Sequence, residues 1–450
     1  MKLLSKVFHN SDRSRTYLGQ GVDLEDVAKP IRLHMEDDIR MGHFGCLGTT
    51  RIGKTRLMEH IISQDIRKGM NLIVIDPKGD NELFSHIVER AIETGREDDL
   101  MLLTPIYPEH SIRLDPLSHY YMPEEIVDHV VSGIQAREEY FINVAYETTL
   151  IIVLSVLLFN QIRDEKEDLN FHAVKRRASY PDLVKLKEAL RDLNAPDASD
   201  ILADLEQVIS SPQEFFGKVS SSLRTTLTSL TSGSVGEIIG KARANEFIKR
   251  LEEGKRVILV VQTGSMLTRK TSHIVGRVLI SMIQSLVGRF FASNRKLDPP
   301  LCIHIDEGHN VLYLGIQELF NKGGGANCWI HFYTQSIAQM DEAIGRDATK
   351  SILDNINTWV IFKVNHPDTA KYVERSTPRV KKFSPILFFG GGISIREIEE
   401  PLVTMDRVLR LRPRQFVMIS YGRYYRGYTT EVKEPKLSVV FPDVKIQKTE

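Results

Sequence analysis

Cysteine is scarce in this sequence, with three residues among 450. Cys46, Cys302 and Cys328 each lie in an apolar run, and their spacing is not that of metal ligands. This scarcity excludes a disulfide-rich secreted domain and a cysteine-based metal site. We therefore predict three buried thiols in a reducing, cytosolic compartment.

An excess of charge of either sign is also missing. Lysine plus arginine and aspartate plus glutamate number 59 each, so the formal net charge is zero. No global basic field predicts a nucleic-acid partner, and any DNA contact has to come from a local patch. Basic clusters occur at Lys175–Arg177, Arg379–Lys382 and Arg410–Arg414, although such clusters are more often solvated faces than DNA sites.

Long apolar runs are absent as well. The longest, Leu150–Phe159, contains one serine and is much shorter than the roughly 20 residues that cross a bilayer. No secretory signal precedes the first predicted strand. The sequence thus predicts a soluble globular protein, and this polypeptide alone is not expected to be an integral membrane protein.

The sequence does contain a phosphate-binding motif, GTTRIGKT at Gly48–Thr55, which fits G-x-x-x-x-G-K-[ST] at every fixed position. The apolar run His43–Gly48 precedes it, and apolar residues recur at helical spacing after it in Leu57–Ile66. This is the strand-to-helix context that the motif requires, because the backbone N–H groups of the loop and of the helix start then face the phosphates. We therefore predict a nucleotide-binding loop.

Each of the main residues of this loop has its own predicted role. Gly48 and Gly53 allow the backbone to wrap around the phosphates. Lys54 would reach the β- and γ-phosphates as a point charge, and the Thr55 hydroxyl would ligate Mg²⁺. The predicted ATP-binding residues of the loop are Gly48, Thr49, Thr50, Arg51, Ile52, Gly53, Lys54, Thr55 and Arg56.

The order of the predicted elements after the loop indicates an α/β fold. An apolar strand at Met70–Asp76, a helix at Asn81–Gly95 and a strand at Leu100–Thr104 complete a βαβαβ series. Only helical patterns follow between Pro123 and Val235, and a core strand resumes at Val257–Thr263. We predict a nucleotide-binding domain at 1–122, an inserted all-α domain at 123–235, and the second part of the nucleotide-binding domain at 236–450.

Two later motifs supply the chemistry that a phosphate loop needs. The apolar strand Leu301–Glu307 ends in two carboxylates, of which Asp306 can hold the Mg²⁺ shell and Glu307 can polarise an attacking water. The strand Ile330–Ser336 ends near Gln335, whose amide suggests a sensor for the γ-phosphate. The predicted site therefore adds Asp306 to the ATP- and Mg²⁺-binding set, and Glu307 and Gln335 to the catalytic set with Lys54.

The remaining elements carry less information. His304 and His309 flank the carboxylates without metal-ligand partners at sensible spacing, so we interpret both as structural. Thr358–Val364 is one more predicted core strand, and Gln415–Arg423 is predicted to be the last. Between them, Phe388–Glu400 contains three consecutive glycines and is predicted to be mobile.

Several motifs together resemble those of TraD-type conjugative coupling proteins, in the TraG/TraD branch of the FtsK/HerA superfamily. They are GTTRIGKTR, the strand end IDPKGD, the turn LDPLS, IDEGHN, and NKGGGAN with YTQS. The resemblance is closest to the TraD subfamily of integrative conjugative elements and covers nearly the whole chain from about Leu18. It is more specific than a phosphate loop alone, and the loop and the carboxylate strand take the places of the family's Walker A and Walker B motifs.

The resemblance implies a RecA-like P-loop motor domain that carries an all-α domain. Such proteins assemble as a hexamer, bind ATP between subunits, and move single-stranded DNA with its relaxase into a type IV secretion channel at the inner membrane. Lys54, Thr55, Asp306, Glu307 and Gln335 take the roles given above.

This sequence departs from the family pattern at two places. Members usually carry an N-terminal membrane anchor, and none is recognised here, which fits either a form that begins beyond it or a naturally soluble form. Many relatives also have an arginine before the glutamine strand that serves the neighbouring subunit's nucleotide, where this sequence has Gly323, Gly324 and Gly325. The trans-acting arginine is therefore unassigned, with Arg346 and Arg423 as candidates.

Two other functions compete with this interpretation. One is an FtsK/HerA-like DNA pump in segregation, repair or defence, which is expected to prefer duplex DNA and to ignore a relaxase. The other is an ATP-gated docking module, in which the helical insertion recognises secreted substrates and the nucleotide acts as a switch. Glu307 argues against the second, because a pure switch needs no base that activates water. The sequence does not decide between hexamer and monomer, or between single-stranded and duplex DNA.

Overall fold

The structure is a computed structural model that describes residues 14–27, 29–135, 139–163, 166–193, 195–387, 393–442 and 445–448. These residues form two compact units. The first takes in the described residues up to 68 together with 304–309 and 329–434, and the second takes in 69–303, 310–328 and the described residues from 435.

The described strands are β1 (Arg15–Asp23), β2 (Ile31–Glu36), β3 (Phe44–Leu47), β4 (Asn71–Asp76), β5 (Leu100–Leu103), β6 (Ile258–Gln262), β7 (Leu301–Ile305), β8 (Cys328–Thr334), β9 (Thr358–Ile361), β10 (Arg379–Leu387), β11 (Ile393–Pro401), β12 (Gln415–Ser420), β13 (Arg423–Thr429), β14 (Leu437–Val440) and β15 (Lys445–Lys448). The described helices are α1 (Lys54–Lys68), α2 (Asn81–Glu93), α3 (Pro123–Ser132), α4 (Glu139–Ile162), α5 (Phe171–Lys175), α6 (Tyr180–Arg191), α7 (Pro196–Ile209), α8 (Gln213–Val219), α9 (Ser221–Thr231), α10 (Gly233–Val235), α11 (Glu246–Glu252), α12 (Arg269–Ala292), α13 (Gln317–Lys322), α14 (Ile337–Ile344), α15 (Arg346–Asp354), α16 (Pro367–Arg375) and α17 (Met405–Leu409).

The first unit is built on a mixed sheet with the strand order β2-β1-β13-β12-β9-β3-β8, and the end of β7 lies beside β8. Strands β8, β3 and β9 are parallel, whereas β12, β13, β1 and β2 add antiparallel pairs. Strand β3 is buried along its whole length, as a central parallel strand requires. Its last residue, Leu47, pairs with Thr334 of β8, so the residues that follow these two strands meet at one edge of the sheet.

The second unit contains a parallel sheet and most of the helices. The start of β7 lies beside β4, and β6 and β5 follow in that order. Between Pro123 and Glu252 the described residues contain helices and connecting turns only. Helix α12 provides a large part of the core, because most of its residues, among them Val275, Leu279 and Ile283, are buried. A hairpin of β14 and β15 belongs to the same unit.

The structure confirms the predicted fold class and the burial of all three cysteines. The predicted boundaries of the all-α domain remain a prediction. One interpretation of the sequence is wrong. Gln415–Arg423 is not the last strand, because β13 pairs with β12 and with β1. The segment predicted to be mobile contains strand β11, which pairs with β10, while its residues 388–392 lie outside the described residues. Its mobility remains a prediction.

Two helices are long and apolar enough to cross a membrane by length and composition, Glu139–Ile162 and Arg269–Ala292. The expectation that the chain has no such segment is therefore too simple. In the apolar windows of these helices, 50% and 78% of the residues are buried inside the protein. Length and composition are weak evidence here, because the core helix of a soluble protein passes the same test.

A fully buried ion pair lies at the centre of the first unit. Arg40, in a short turn before β3, donates from Nη1 and Nη2 to the two carboxylate oxygens of Asp65 in α1, each at 2.7 Å. Both side chains are inaccessible to solvent. The Asp65 carboxylate also accepts a hydrogen bond from His304 Nε2 of β7 at 3.1 Å, and Arg40 contacts His331 Nε2 of β8 at 3.1 Å. This cluster ties the phosphate-loop helix to two strands of the sheet.

Electrostatics decide the protonation of this cluster. Burial raises the pKa of the Asp65 carboxyl, but the Arg40 guanidinium and the His304 hydrogen bond outweigh burial and hold that pKa well below its usual range. Burial also lowers the pKa of His304 and of His331, which keeps both imidazoles neutral. Among these four side chains, Arg40 is therefore the cation and Asp65 the anion. Their two parallel hydrogen bonds give the bidentate geometry that makes such pairs strong.

We expect Asp65→Asn to lower the free energy of unfolding by about 3–5 kcal/mol, because it removes the bidentate partner of the buried Arg40 charge and leaves it only the longer, 3.2 Å contact of Nη1 with Asp37 Oδ1. The pair's contribution is complete above the pKa of the unfolded carboxyl, near 3.9, and is lost as pH falls below it, because the folded pKa is lowered. Denaturant titrations at pH values from 8 down to 2 check this, and Trp329, whose ring lies 5.0 Å from the Arg40 guanidinium carbon, provides a local fluorescence signal.

Arg15→Ala is the matched control, because the Arg15–Glu36 pair is about half exposed on both sides. Such a pair contributes roughly 0.2–1 kcal/mol. If Asp65→Asn costs no more than the control, the buried pair does not hold this unit together.

Candidate nucleotide-binding site

The phosphate loop connects β3 to α1 and is held by its neighbours on the sheet. Gly48 N–H donates to the carbonyl of Thr334 at 3.3 Å, and Thr49 N–H donates to the carbonyl of Lys363 at 2.8 Å. The two flanking strands, β8 and β9, therefore fix the start of the loop. A Cβ atom at Gly48 would lie 2.8 Å from the Cβ of Phe362, so the close approach requires glycine.

The second half of the loop turns sharply into the helix. Arg51 has a φ of 57° and Gly53 a φ of 115°, backbone conformations that wrap a chain around a small anion. The carbonyl of Ile52 accepts a hydrogen bond from the backbone N–H of Arg414 at 3.0 Å. Arg414 belongs to the predicted basic cluster Arg410–Arg414, and its backbone supports the loop.

Lys54 lies over the loop that precedes it. Its Nζ donates to the carbonyl of Gly48 at 2.6 Å and to that of Thr49 at 3.0 Å, and the residue is 6% exposed. Thr55 follows as the second residue of α1 and is half-buried. Thr49 Oγ1 accepts a hydrogen bond from Asn365 Nδ2 at 3.1 Å. The ammonium group and two hydroxyl groups thus converge on the start of one helix.

The two carboxylates follow β7 directly rather than forming its end. Asp306 is 1% and Glu307 6% exposed, and the backbone N–H of Glu307 donates to Asp306 Oδ1 at 3.0 Å. Glu307 has a φ of 45°, which is rare for a residue with a side chain and costs on the order of 1–3 kcal/mol. A Cβ at Gly308 would lie 2.2 Å from the ring of Phe332, so the next residue must be glycine. This strained turn aims the Glu307 carboxylate.

Gln335 contacts Glu307, because these residues follow the neighbouring strands β8 and β7. Gln335 Nε2 lies 3.1 Å from Glu307 Oε1 and 3.2 Å from Oε2. His309 Nδ1 lies 3.8 Å from Glu307 Oε2 and 3.4 Å from Thr334 Oγ1. Burial lowers the pKa of His309, although the neighbouring Glu307 and Asp306 oppose this. The interpretation of His309 as purely structural therefore misses a contact with the predicted base.

His304 and His309 differ in this respect. His304 belongs to the buried Arg40–Asp65 cluster, so its interpretation as structural agrees with its surroundings. His309 and Asn365 are site residues that sequence reasoning missed. Asn365 could have been found, because it follows a core strand parallel to β3 and hence lies at the same edge of the sheet.

The other predicted residues are exposed or are engaged within their own helix. Thr50 and Arg51 are exposed, and Arg56 donates to Glu59 Oε2 within α1 at 3.0 Å. Arg346 is exposed at the first residue of α15, and Arg423 is exposed at the start of β13. Both arginines are therefore accessible from outside the chain, and their assignment to the site remains a prediction.

These residues fit a nucleotide with Mg²⁺. The loop supplies backbone N–H groups and a buried ammonium group for phosphates, as a tightly wound glycine loop does in general. Thr55 and Asp306 supply the hydroxyl and carboxylate oxygens that Mg²⁺ prefers. Among the described residues no group of three histidine, cysteine, aspartate or glutamate side chains could hold a metal by itself. The donor set therefore suits a metal that is shared with phosphate oxygens.

Comparisons with known proteins show which families this chain is similar to. The model of the family described as the TraM recognition site of TraD and TraG matches residues 300–377, which include Asp306, Glu307 and Gln335. The conjugal transfer protein TraG of Agrobacterium fabrum is 23% identical over 379 residues, or 79% of this chain and 55% of the relative. The type 4 coupling protein DotL of Legionella pneumophila is 36% identical over 67 residues, or 15% of this chain and 8% of the relative.

The fold is shared with solved coupling-protein structures. The conjugative coupling protein TrwBΔN70 has a TM-score of 0.68 at 15% identity, covering 93% of this chain and 90% of that chain. TrwB in complex with ADP and Mg²⁺ has a TM-score of 0.62 at 16% identity, covering 89% of this chain and 87% of that chain. These likenesses confirm the RecA-like fold with an all-helical domain. The chain spans about half the length of the TraG relatives that it matches.

The family match covers the strands that carry the two carboxylates and the glutamine, and the TraG relatives match 79% and 78% of the chain. The finer resemblance to the TraD subfamily of integrative conjugative elements remains a prediction. On this evidence the chain is similar to conjugative coupling proteins of the TraD/TraG type and shares the fold of TrwB.

Proposed function

We propose that this chain is an ATPase that couples hydrolysis to the movement of single-stranded DNA, with its relaxase, into a type IV secretion channel. The contact between Gln335 and Glu307, at the sheet edge that also carries the phosphate loop, supports this proposal most directly. In this arrangement a base lies next to a group that can respond to the γ-phosphate. The named partners are those implied by the relatives, and the site of action is the cytoplasmic side of the inner membrane.

The residues of the site divide the work of hydrolysis. Glu307 accepts a proton from the water that attacks the γ-phosphoryl group, and ADP leaves on the opposite side. Lys54 and the loop N–H groups stabilise the charge that develops on the phosphate oxygens. Thr55 and Asp306 would hold Mg²⁺, which would supply positive charge to the β- and γ-phosphates. Gln335 orients the Glu307 carboxylate through the two hydrogen bonds described above.

The competing functions differ in what they require of this site. An ATP-gated docking module needs the phosphate loop but not a strained backbone that aims a carboxylate, so the φ of 45° at Glu307 favours hydrolysis. A duplex-DNA pump uses the same site. It is distinguished by its substrate, since it would be stimulated by duplex rather than single-stranded DNA.

A hexamer with ATP bound between subunits is the assembly that the family resemblance implies. The zero net charge of the chain does not oppose self-association. An arginine that serves the transition state from a neighbouring subunit completes such a site, and Arg346 and Arg423 are the exposed candidates. We propose that the chain is active as a homo-hexamer and is mostly monomeric in dilute solution.

Lys54→Ala is expected to lower ATP turnover by roughly 100-fold or more, because it removes a buried positive charge from the transferring phosphoryl group. Turnover is measured as phosphate release, and circular dichroism verifies the fold. Lys350→Ala is the control, since Lys350 is 70% exposed on the surface helix α15. Wild-type turnover in a folded Lys54→Ala protein would contradict the assignment of the loop.

Glu307→Gln is expected to bind ATP and Mg²⁺ with near-normal affinity and to lose hydrolysis, because the amide cannot accept the proton from water. Binding of a fluorescent ATP analogue and single-turnover phosphate release separate the two effects. Glu318→Gln, on the exposed surface of α13, is the control. Loss of nucleotide binding in Glu307→Gln would mean that Glu307 has a structural role instead.

Specific ATPase activity is expected to rise with protein concentration and on addition of single-stranded DNA, because a subunit gains its neighbour's arginine only on assembly. Light scattering measured alongside turnover relates activity to mass. A constant specific activity at constant mass, with no effect of DNA, would show that the site works without a neighbour. Stimulation by duplex DNA alone would favour the DNA pump.

A further inference from the structure

Two hydrogen-bonded loops follow the carboxyl ends of β4 and β6 in the second unit. Neither has been given a role above. Its first part is the IDPKGD motif, in which the buried Asp76 carboxylate accepts hydrogen bonds from the backbone N–H groups of Lys78 at 3.0 Å and Asp80 at 2.5 Å. The motif therefore folds into a tight turn around its own carboxylate.

The second part is the segment Ser265–Lys270, which we call the edge loop. It is fastened to the first part by the backbone, since Ser265 N–H donates to the carbonyl of Pro77 at 2.6 Å. The N–H groups of Leu267 and Thr268 both donate to the carbonyl of Gly264, at 2.9 and 3.1 Å. Gly264 has a φ of 68°, and a Cβ there would lie 2.8 Å from Ile106. The edge loop is thus preorganised by backbone hydrogen bonds that do not use its side chains.

The side chains of the edge loop combine apolar surface with positive charge. Met266 is 88% and Leu267 73% exposed, and they have the two largest exposures among the large apolar residues of the described chain. Arg269 and Lys270 follow, also exposed, at the start of α12. A rigid backbone that holds two neighbouring apolar side chains in water is typical of an interaction site.

Carboxylates of the turn beside the edge loop are already engaged. Asp76 accepts the two hydrogen bonds given above, and Asp80 accepts hydrogen bonds from the N–H groups of Glu82 and Leu83 at the start of α2. The first turn of α12 contains no acidic residue. Arg269 and Lys270 therefore present a local positive surface on a chain whose total charge is zero.

We propose that the edge loop is a binding site for single-stranded nucleic acid, an inference that rests on the proposed function. Arg269 and Lys270 bind phosphates, and Met266 and Leu267 pack against unpaired bases. Apolar side chains contact the faces of bases only where these are unstacked. A single strand offers such bases without the few kcal/mol per step that unstacking a duplex costs, so the pair favours a single strand. Two adjacent cations on a helix turn without acidic residues favour a phosphate backbone over a protein surface of mixed charge.

Two double variants test the loop, Arg269→Glu/Lys270→Glu and Met266→Ser/Leu267→Ser. The control is Lys185→Glu/Lys249→Glu, which reverses two exposed charges elsewhere in the same unit. Fluorescence anisotropy measures binding of a fluorescein-labelled oligo-dT and of a duplex of equal length, at several salt concentrations. ATP turnover is measured with and without each DNA.

Both loop variants are expected to keep the basal ATP turnover, to bind oligo-dT at least about tenfold more weakly, and to lose its stimulation of turnover. The charge variant should also reduce the slope of log affinity against log salt by about 0.7 for each phosphate that the protein no longer neutralises. The serine variant should leave that slope unchanged, because it changes only the packing against bases.

The outcomes separate this inference from the proposed function. If the wild-type protein and both variants all bind oligo-dT and respond to it, the edge loop is not the binding site. The proposed function is then unaffected. Wild-type protein that neither binds nor responds to oligo-dT overturns both. Normal DNA binding in the variants, with a loss of concentration-dependent activity, would show that the edge loop contacts a second copy of the chain instead.

Discussion

The buried pair between Arg40 and Asp65 is the contact on which the geometry of the site depends. A charge in the interior costs several kcal/mol unless its partner is held in good geometry, so the two side chains cannot drift apart without a large penalty. Asp65 lies on the phosphate-loop helix, and His304, which donates to it, lies two residues before Asp306. The pair therefore fixes the distance between the element that binds phosphate and the strand that presents the carboxylates.

The register of the parallel strands completes the arrangement. Leu47 is opposite both Thr334 and Ile361, so three strands end at the same level. Each strand then contributes a polar group just beyond its end, namely Lys54 through the loop, Gln335 and Asn365. Parallel strands concentrate polar residues at their carboxyl ends in this way because the interior of the sheet has no room for them.

The sequence allowed the local parts of the site to be predicted but not its long-range contacts. The phosphate loop and the two carboxylates depend on spacing within a few residues, and the parallel strands are recognisable as continuous apolar runs. The Arg40–Asp65 pair and the Asn365–Thr49 contact join residues that are 25 and 316 positions apart. The strand pair β10–β11 was also missed. Those of its side chains that the structure describes are mostly exposed, so the pair does not have one buried and one exposed face, the pattern by which a half-buried strand is recognised.

The left-handed backbone at Glu307 has a consequence for how the protein responds to heat. The phosphate loop has a left-handed residue of its own, Arg51, but backbone hydrogen bonds from neighbouring segments hold the loop on both sides of it, at Gly48, Thr49 and Ile52. The turn at Glu307 opposes the intrinsic preference of the residue that must itself present the carboxylate. Thermal loosening of a structure begins where the local free energy is least favourable. On warming, the Glu307 carboxylate should leave its position before the phosphate loop changes its conformation. Over that range of temperature the protein should bind nucleotide without hydrolysing it.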